Sequence, residues 1–433
     1  MTLQMPDSYW AATAEPGDHY LALDGQLKTS VCVIGGGYLG LSTALHLAEK
    51  GVDVVLLEAG QPGWGASGSN GGQIIPGFKS ERSDLIASMG EEAGSRLFAW
   101  SGSFVDDTLD LIGRHGIRCQ ASRAGWLQPA HSVNSFNAYE KRVAEWQAEG
   151  IEAYMLDRSE ASAALGSDWY MGAYYDPRGG RLHPLSYTRG LARAAAGAGA
   201  WIFGDTLAER VEWSGDIWTV RAATGDVQAD QVLICTNAYT DSGQALVPGL
   251  AQSIVPIPSY MVATAPLSDN LRKSILPGGE TAADLKKLTN HFRLEEDGSF
   301  LFGGRGDLTE TDDPSSFRCV TAKLAEIFPQ LKDQPIAYRW SGRVAITTDG
   351  VPHLHNPAPG LWAALGCNGR GIGFATSYGK LMSDLLSGMP ALDSPVPVTA
   401  VSRIPFHVFH LIGARAALWW KNRQDTRDRH AKP

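Results

Sequence analysis

The hydrophobic pattern near the start of the chain changes period twice in a short span. Residues 31–34 form an apolar, β-branched run, and a glycine-rich stretch follows up to Gly40. Apolar residues then recur at helical spacing through Leu41, Ala44 and Leu47, and a second apolar run over residues 52–57 ends at Glu58. These periods are typical of a buried strand, a helix and a second strand. The pattern therefore predicts a strand–helix–strand unit over residues 31–58.

The glycine spacing in the predicted turn indicates a phosphate site. Gly35, Gly37 and Gly40 have the GxGxxG spacing. The first glycine permits a tight turn, the second lets backbone N–H groups approach a pyrophosphate, and the third lets helix and strand pack closely. Glu58 is placed to accept hydrogen bonds from a ribose, and it would repel a 2′-phosphate. The unit predicts a dinucleotide site that disfavours NADP, and it leaves NAD and FAD open.

Later segments extend this picture. Residues 230–236 are typical of another parallel strand, and residues 253–265 of a strand in a second domain. The proline-rich stretch 390–397 marks the end of the globular body. Beyond it, residues 404–420 are apolar and aromatic, with Arg415 inside the run and Lys421 and Arg423 directly after it. This segment is too short and too charged to span a bilayer, but it suits a helix in the headgroup layer. The alternative is a helix docked on its own domain or on a second subunit.

Composition and charge narrow the class of protein. The chain has 433 residues, 44% hydrophobic and 19% charged, enough for one large core or two medium ones. A net charge of -9 argues against a nucleic-acid-binding protein. Residues 403–433 hold seven basic and two acidic residues, a net +5, so residues 1–402 carry -14. An acidic body ends in a basic, aromatic tail, which we expect to contact an anionic membrane surface.

The cysteines and the first residues bear on location. The five cysteines are widely spaced and contain no CxxC pair, so neither a disulfide framework nor a metal site is predicted. No basic segment followed by an apolar run occurs near the start, so no secretory signal is predicted. We expect a cytoplasmic protein that is peripheral at the inner membrane.

Five further motifs identify a family resemblance. They are Gly63–Gln73, Gly180–Leu185, Phe302–Gly304, Tyr338–Gly342 and Gly366–Gly371. With the strand–helix–strand unit, they resemble the D-amino-acid oxidase-like family of FAD-dependent oxidoreductases over nearly the whole chain, and most of all its branch of γ-glutamylputrescine oxidase and bacterial L-pipecolate oxidase. The resemblance implies an α/β fold: a Rossmann-like FAD-binding domain, a discontinuous α+β substrate domain and a C-terminal amphipathic tail.

The resemblance also implies how FAD is held. Residues implied to contact its pyrophosphate, adenosine or phosphates are Gly35, Gly37, Tyr38, Leu39, Gly40, Glu58, Ala59, Ala66 and Ser67. Those implied to lie along the isoalloxazine are Asn70, Gly71, Gly72, Gln73, Gly366, Cys367, Gly369, Arg370, Gly371 and Ile372. The second group includes the start of a helix whose partial positive charge would stabilise reduced flavin. Gly342 falls where some relatives carry a flavin-binding cysteine, so we expect non-covalent FAD, with Cys367 as a packing residue.

The implied reaction is oxidation of a C–N bond in a secondary amine or amino acid to an imine. L-Pipecolate, oxidised to a piperideine carboxylate in lysine catabolism, is the favoured substrate. The alternatives are γ-glutamylputrescine in putrescine catabolism and a non-catalytic flavoprotein partner subunit. A lysine that relatives place over the flavin is missing from residues 299–302, so a membrane electron acceptor is expected beside O2.

A substrate carboxylate calls for a cation, and arginine is the natural one. Arg370 is the first candidate, because it lies in the late flavin loop. Arg305 and Arg343 are weaker candidates that are as easily ion-paired at strand ends. Tyr260 and His291 lie on predicted strands of the substrate domain and are candidates to line the site.

The order of the motifs predicts the domains. The FAD-binding domain is expected at 28–90, 150–245 and 341–392, and the substrate domain at 91–149 and 246–340. The tail is expected at 393–433.

Overall fold

The fold was analysed in a computed structural model, which describes residues 3–148, 150–241, 243–244, 246–311 and 313–430. Its helices are α1 (Tyr9–Thr13), α2 (Tyr38–Glu49), α3 (Ala66–Ser69), α4 (Arg82–Met89), α5 (Glu91–Ser101), α6 (Phe104–Arg114), α7 (Val133–Ala148), α8 (Arg158–Leu165), α9 (Pro184–Gly197), α10 (Asp269–Ser274), α11 (Arg318–Ile327), α12 (Gly371–Leu386) and α13 (His410–His430). The strands divide between two large sheets and one short pair.

The first sheet has nine strands. They are β1 (Gly25–Ile34), β2 (Val54–Leu57), β8 (Trp201–Phe203), β9 (Ala208–Trp213), β10 (Trp218–Ala222), β11 (Gly225–Ile234), β17 (His353–Ala358), β18 (Leu361–Leu365) and β19 (Val398–Thr399). The main order is β19-β17-β18-β11-β1-β2-β8, and β10 and β9 extend from β11 as an antiparallel meander. β1 is parallel to both β2 and β11, and β11 is parallel to β18. The parallel centre brings the carboxyl ends of these strands to one edge.

The second sheet has eight strands and forms the other half of the molecule. They are β4 (Trp126–Ala130), β5 (Tyr154–Leu156), β6 (Gly172–Asp176), β12 (Val255–Thr264), β13 (Thr281–Ala283), β14 (His291–Leu294), β15 (Phe300–Gly304) and β16 (Ile336–Ile346), in the order β16-β12-β15-β14-β13-β4-β6-β5. β3 (Gln73–Ile74) and β7 (Gly180–Arg181) form the short antiparallel pair. The two sheets confirm the expected α/β class with a second α+β unit.

Sheet membership differs from the expected domain ranges in three places. β5 and β6 lie within 150–245, yet they pair with each other in the second sheet, where β6 also pairs with β4. β16 crosses the expected boundary at 341 and stays paired with β12 up to Ile346. β19 lies beyond 392 but pairs with β17 in the first sheet. Strand pairing joins segments that are distant in sequence, so the order of motifs along the chain does not predict which sheet a strand belongs to.

Helices cover the first sheet and fill its core. α2 buries Leu41, Ala44 and Leu45 against the sheet, and the apolar residues of β1 and β2 are buried with them. α12 packs beside α2 and buries most of its length, including Phe374 and Tyr378. Burial of apolar surface of this kind contributes about 25 cal/mol per Å². α2, α12 and the central strands of the first sheet therefore share one hydrophobic core.

The C-terminal tail returns to its own chain at both ends. The backbone N–H of Ile404 donates to the carbonyl of Gln252 at 2.9 Å. At the other end, the buried carboxylate of Asp425 accepts from the backbone N–H groups of Lys287 at 2.9 Å and Leu288 at 3.1 Å. Between these contacts, Trp419 and Trp420 are more than half exposed. The two ends of the tail are thus docked on the rest of the chain, and the aromatic surface between them is exposed to solvent.

In the part of the chain that the structure describes, none of the helices is both long enough and apolar enough to cross a membrane.

Replacement of Asp425 tests the docking of α13. In Asp425→Ala two backbone N–H groups lose a charged acceptor, so we expect the free energy of unfolding to fall by about 2–3 kcal/mol, or α13 to detach. Limited proteolysis after Lys421 and urea unfolding measure the two outcomes. Asp428→Ala is the matched control, since Asp428 lies on the same helix and its carboxylate forms no hydrogen bond to another described residue. Equal behaviour of both variants would contradict the docking role.

Candidate active site

A cavity lies between the two sheets, at the carboxyl ends of β1, β11 and β18. It is lined by the first turns of α2 and α12, by α3 and the strip that follows it, and by strands of the second sheet. Lining residues that the sequence analysis named are Gly37, Tyr38, Leu39, Ala66, Ser67, Asn70, Gly71, Gln73, His291, Arg305, Arg343, Cys367, Gly369, Arg370, Gly371 and Ile372. The structure therefore brings both glycine-rich turns into one cavity.

The turn before α2 depends on two glycines. Gly35 has φ +118°, a conformation that side chains rarely adopt. At Gly40 a Cβ would lie 2.9 Å from the Cys235 sulfur and nearer still to the Gly35 carbonyl oxygen. No side chain caps the helix at its N-cap residue, Gly37. The turn is thus packed on its inner side, while the start of α2 stays open towards the cavity and suits a phosphate.

Glu58 ends β2 beside this turn. Its carboxylate accepts from the backbone N–H of Gly36 at 2.5 Å and of Gly60 at 3.0 Å. Burial raises the pKa of the carboxyl group, and these backbone hydrogen bonds oppose the rise. Gly37 and Gly40 lie on the same turn, with Ala59 next to Glu58. This is the arrangement expected for the ribose side of a dinucleotide.

The strip 67–73 joins the start of α2 to the second sheet. Ser67 Oγ accepts from the Tyr38 backbone N–H at 3.0 Å, and Asn70 Nδ2 donates to the Tyr38 hydroxyl at 3.0 Å. Gly72 has φ +67° and packs against Arg293. Gln73 Nε2 donates to the Ala282 carbonyl at 2.8 Å. These hydrogen bonds hold the side chains of the strip in place. Its backbone therefore forms a narrow wall of the cavity.

The turn before α12 is the second open helix start. Gly366 and Gly369 have φ +91° and +90°, and no side chain caps the helix at its N-cap residue, Arg370. Cys367 is a free, half-buried thiol whose sulfur accepts from Asn237 Nδ2 at 3.3 Å. Gly371 and Ile372 begin the helix at the cavity wall. The macrodipole places partial positive charge here.

The two open helix starts lie together because α2 and α12 pack side by side in the same direction. Ser42 Oγ donates to the Thr376 carbonyl at 2.7 Å, and further along Lys50 Nζ donates to Asp384 at 2.6 Å. At Gly379 a Cβ would lie 2.5 Å from the Ser42 Cβ and 2.7 Å from the Leu39 carbonyl oxygen. The helices therefore approach closely and present both N-termini at one end.

Arg370 has a different environment from the one the sequence analysis assigned. Its Nη1 donates to the backbone carbonyls of Pro76 at 3.2 Å, Gly77 at 3.4 Å and Phe78 at 2.5 Å. Its guanidinium lies 5.2 Å from the Trp126 ring centroid, and burial lowers its pKa. The side chain lines the cavity, but these contacts engage it in holding the loop that follows β3.

Arg305 and His291 lie together on the second-sheet side of the cavity. Arg305 Nη1 donates to the Pro258 carbonyl at 3.2 Å, and within the described residues it has no acidic partner. Burial, with the charge of Arg305, lowers the pKa of His291 to about 4. The imidazole is therefore neutral at ordinary pH and contacts the Met261 sulfur at 3.0 Å. Arg305 remains a candidate to bind a carboxylate.

Tyr260 and Arg343 do not match their expected roles as well. Tyr260 is fully buried on the opposite face of β12, where its hydroxyl donates to the Thr309 carbonyl at 2.7 Å and its ring packs on Phe317. Side chains alternate along a strand, so the neighbours Ser259 and Met261 face the cavity instead. The prediction that Tyr260 lines the site is corrected. Arg343 lines the rim and is ion-paired with Glu310 at 2.6 Å.

Sequence reasoning missed several lining residues. They are Ile75, Lys79, Trp126, Gln128, Ser259, Met261, Thr289 and Phe374. Four of them, Trp126, Gln128, Ser259 and Met261, lie on strands of the second sheet, whose pairing determines which residues face the cavity. Lys79 lies shortly after the glycine-rich strip, and that proximity was the one signal in the sequence. Among the lining residues of the described chain there is no Asp or Glu, whereas four are Lys or Arg.

The fold and the cavity define a dinucleotide-binding oxidoreductase, and comparisons specify the family. A family model described as FAD dependent oxidoreductase, DAO, matches residues 30–385. γ-Glutamylputrescine oxidoreductase of Escherichia coli (strain K12) is 33% identical over 383 residues, which cover 88% of this chain and 89% of that protein. Probable oxidoreductase OrdL of Haemophilus influenzae is 32% identical over 365 residues, 83% of each chain. The chain belongs to the DAO family of FAD-dependent oxidoreductases.

A solved structure supports the fold. Glycine oxidase from Geobacillus kaustophilus matches with a TM-score of 0.72 at 21% identity, covering 86% of this chain and 99% of that one. As a member of the DAO family, the chain is an FAD-dependent enzyme that oxidises amines or amino acids. The cavity fits FAD, since two helix N-termini and the glycine-rich strip border it. FAD supplies the acceptor for the hydride equivalent from the carbon next to nitrogen. Its non-covalent attachment stays a prediction.

Replacement of Gly40 tests the cofactor turn. In Gly40→Ala the new methyl group overlaps the Gly35 carbonyl oxygen, and overpacking of this kind costs about 1–3 kcal/mol. We expect FAD to bind about tenfold more weakly or worse, as measured by titrating apoprotein with FAD. Gly113→Ala is the control, because open space surrounds Gly113 on α6. Unchanged FAD affinity in Gly40→Ala would show that the turn does not hold the cofactor.

Proposed function

We propose that the chain oxidises the amine of a substrate whose carboxylate lies far from the reacting carbon, and that γ-glutamylputrescine is the best candidate. The observation that carries the proposal is the charge of the cavity. Lys79, Arg305, Arg343 and Arg370 line it, and no acidic residue does among those described. Such a lining favours a substrate with a carboxylate and repels a free diamine. The relative from Escherichia coli carries the same substrate in its name.

L-Pipecolate, which the sequence analysis favoured, is the second candidate. Its carboxylate and nitrogen share one carbon, so it needs a cation beside the flavin. Arg370 was assigned that role, but its contacts to the carbonyls of residues 76–78 engage it elsewhere. Arg305, deep in the cavity beside His291, is the residue that supports this second candidate. The contacts of Arg370 thus remove the original reason for favouring L-pipecolate, and Arg305 supplies a weaker one.

The protein's own groups bind and orient the amine. Trp126, Met261 and Phe374 supply apolar walls that exclude water from the reacting end. His291 is neutral there, so it adds no positive charge against a developing iminium. Lysine and arginine side chains then attract the acidic end of the substrate.

A substrate panel tests the proposal. Under anaerobic conditions, γ-glutamylputrescine is expected to bleach the flavin absorbance near ~450 nm at least about tenfold faster than L-pipecolate, glycine, L-proline or putrescine at equal concentration. Putrescine keeps the reacting amine and lacks the carboxylate, so it serves as the matched control. Faster bleaching by L-pipecolate would replace the proposed substrate with the second candidate.

The electron acceptor and the location remain linked proposals. Residues 299–302 carry no lysine, which is the reason to propose a membrane acceptor beside O2. We therefore keep O2 and a membrane acceptor as candidates.

For location, helical spacing puts Ile412, Trp419 and Arg423 on the exposed face of α13, and the Arg423 guanidinium lies 4.9 Å from the Trp419 ring centroid. We propose an anionic membrane surface as the partner of this face.

Vesicle binding tests the membrane proposal. The full chain is expected to co-sediment with vesicles containing phosphatidylglycerol and to be released by high salt, because basic residues near the surface contribute about 1 kcal/mol each. The double variant Trp419→Ala, Trp420→Ala should stay in the supernatant. Trp201→Ala, at an exposed tryptophan on the edge strand β8, is the control. Failure of the full chain to bind vesicles, or a dimer lost in the double variant, would contradict a membrane partner.

A further inference from the structure

Lys79 is a cation that lines the cavity, and no contact within the described part of the protein explains its role. Its side chain lines the cavity, and within the described residues its ammonium has no hydrogen bond or ion pair. We propose that Lys79 binds the carboxylate of the substrate at the mouth of the cavity and thereby selects acidic amines. This inference rests on the proposed function and adds the residue that determines its specificity.

The loop that carries Lys79 is held in place. The three carbonyls bound by Arg370 belong to the residues directly before Lys79. Phe78 packs on Phe104 at 5.1 Å and on Phe374 at 5.9 Å between ring centroids. The backbone is thus fixed up to Phe78, and Lys79 extends from a rigid base. Arg370 acts as a positioning residue for this base.

Lys79 and Arg305 lie at two different depths in the cavity. Lys79 remains accessible to solvent, and α13 is near enough for the charges of Lys421 and Asp425 to act on it. Arg305 is deeply desolvated and lies near His291 and Cys367, where the flavin ring is expected. A carboxylate next to the reacting carbon would reach Arg305. A carboxylate at the far end of a γ-glutamyl group would reach Lys79.

The charges around Lys79 favour an anionic ligand. Arg370, Arg305 and Lys421 repel its positive charge, and Asp425 opposes them. Asp425 is itself engaged by the two backbone N–H groups that dock α13. Burial first, and then these cations, lower the pKa of Lys79 to about 8. A bound carboxylate would relieve this repulsion and raise the pKa again.

Substrate kinetics with a matched pair of amines test Lys79. N-Butanoylputrescine keeps the amide and the terminal amine of γ-glutamylputrescine but lacks its α-carboxylate and α-amino group. In Lys79→Met we expect the KM for γ-glutamylputrescine to rise about tenfold, with kcat within about twofold and the KM for N-butanoylputrescine unchanged. Lys79→Arg should restore most of the affinity. Equal changes for both amines, or none for either, would overturn the inference, as would a tenfold effect confined to Arg305→Met.

A binding measurement separates this inference from the proposed function. γ-Glutamyl-n-butylamide keeps the acidic end with its α-amino group but lacks the terminal amine of putrescine, so under anaerobic conditions a shift of the flavin absorbance without bleaching reports its binding. If the wild type fails to oxidise γ-glutamylputrescine but binds this probe through Lys79, the proposed function fails and the inference holds. If the wild type does not bind the probe, or Lys79→Met binds it equally well, the inference fails.

The pH dependence of probe binding gives the sign of the effect. Below pH 8 Lys79 is cationic and binds the carboxylate, and above it the ammonium loses its proton and this attraction. The Kd for γ-glutamyl-n-butylamide should therefore rise above about pH 8 in the wild type and stay flatter in Lys79→Arg, whose guanidinium keeps its charge. The charged groups facing the site from other segments, Arg370, Arg305, Lys421 and Asp425, are the same in both proteins. Parallel pH profiles would contradict the role of Lys79.

Discussion

The parallel packing of α2 against α12 is the constraint on which the site depends. Gly379 lets the two helices approach until Ser42 bonds to the Thr376 carbonyl, and a side chain at Gly379 would separate them. Because the helices run in the same direction, both open N-termini lie at one end. Their partial positive charges then act on the same volume, where a long cofactor with a pyrophosphate and an electron-rich ring is stabilised at two points.

The second sheet completes the site by closing the other side of this volume. Arg293 connects the two halves, since it is fully buried, pairs with Glu295 and donates to the carbonyls of Gly72 and Leu182 at 2.8 Å each. Removing one member of such a buried pair costs about 3–5 kcal/mol. The cofactor strip is therefore held by a group outside the nucleotide-binding sheet. In the proposed function, side chains at the cavity determine the specificity for the substrate, while backbone groups bind FAD.

The parts of the account that sequence reasoning reached are local in the chain. The GxGxxG turn, the helix after it and Glu58 follow from spacing alone, because each depends on neighbours within the same strand–helix–strand unit. Tyr260 was misplaced because a strand pattern does not say which face meets the cavity. Arg370 was assigned to a substrate because its carbonyl acceptors lie 292 to 294 residues away. Lys79 has no motif, and its place becomes visible once Arg370 is seen to hold its loop.

A crystal structure of the FAD-bound protein with γ-glutamyl-n-butylamide tests the central claim most directly. The account predicts the FAD pyrophosphate at the start of α2, the flavin ring between the 70–73 strip and the start of α12, and the ligand carboxylate within hydrogen-bonding distance of Lys79 Nζ. A flavin that contacts one helix start but not the other would contradict the account of shared N-termini. A carboxylate bound to Arg305 instead would contradict the proposed substrate orientation.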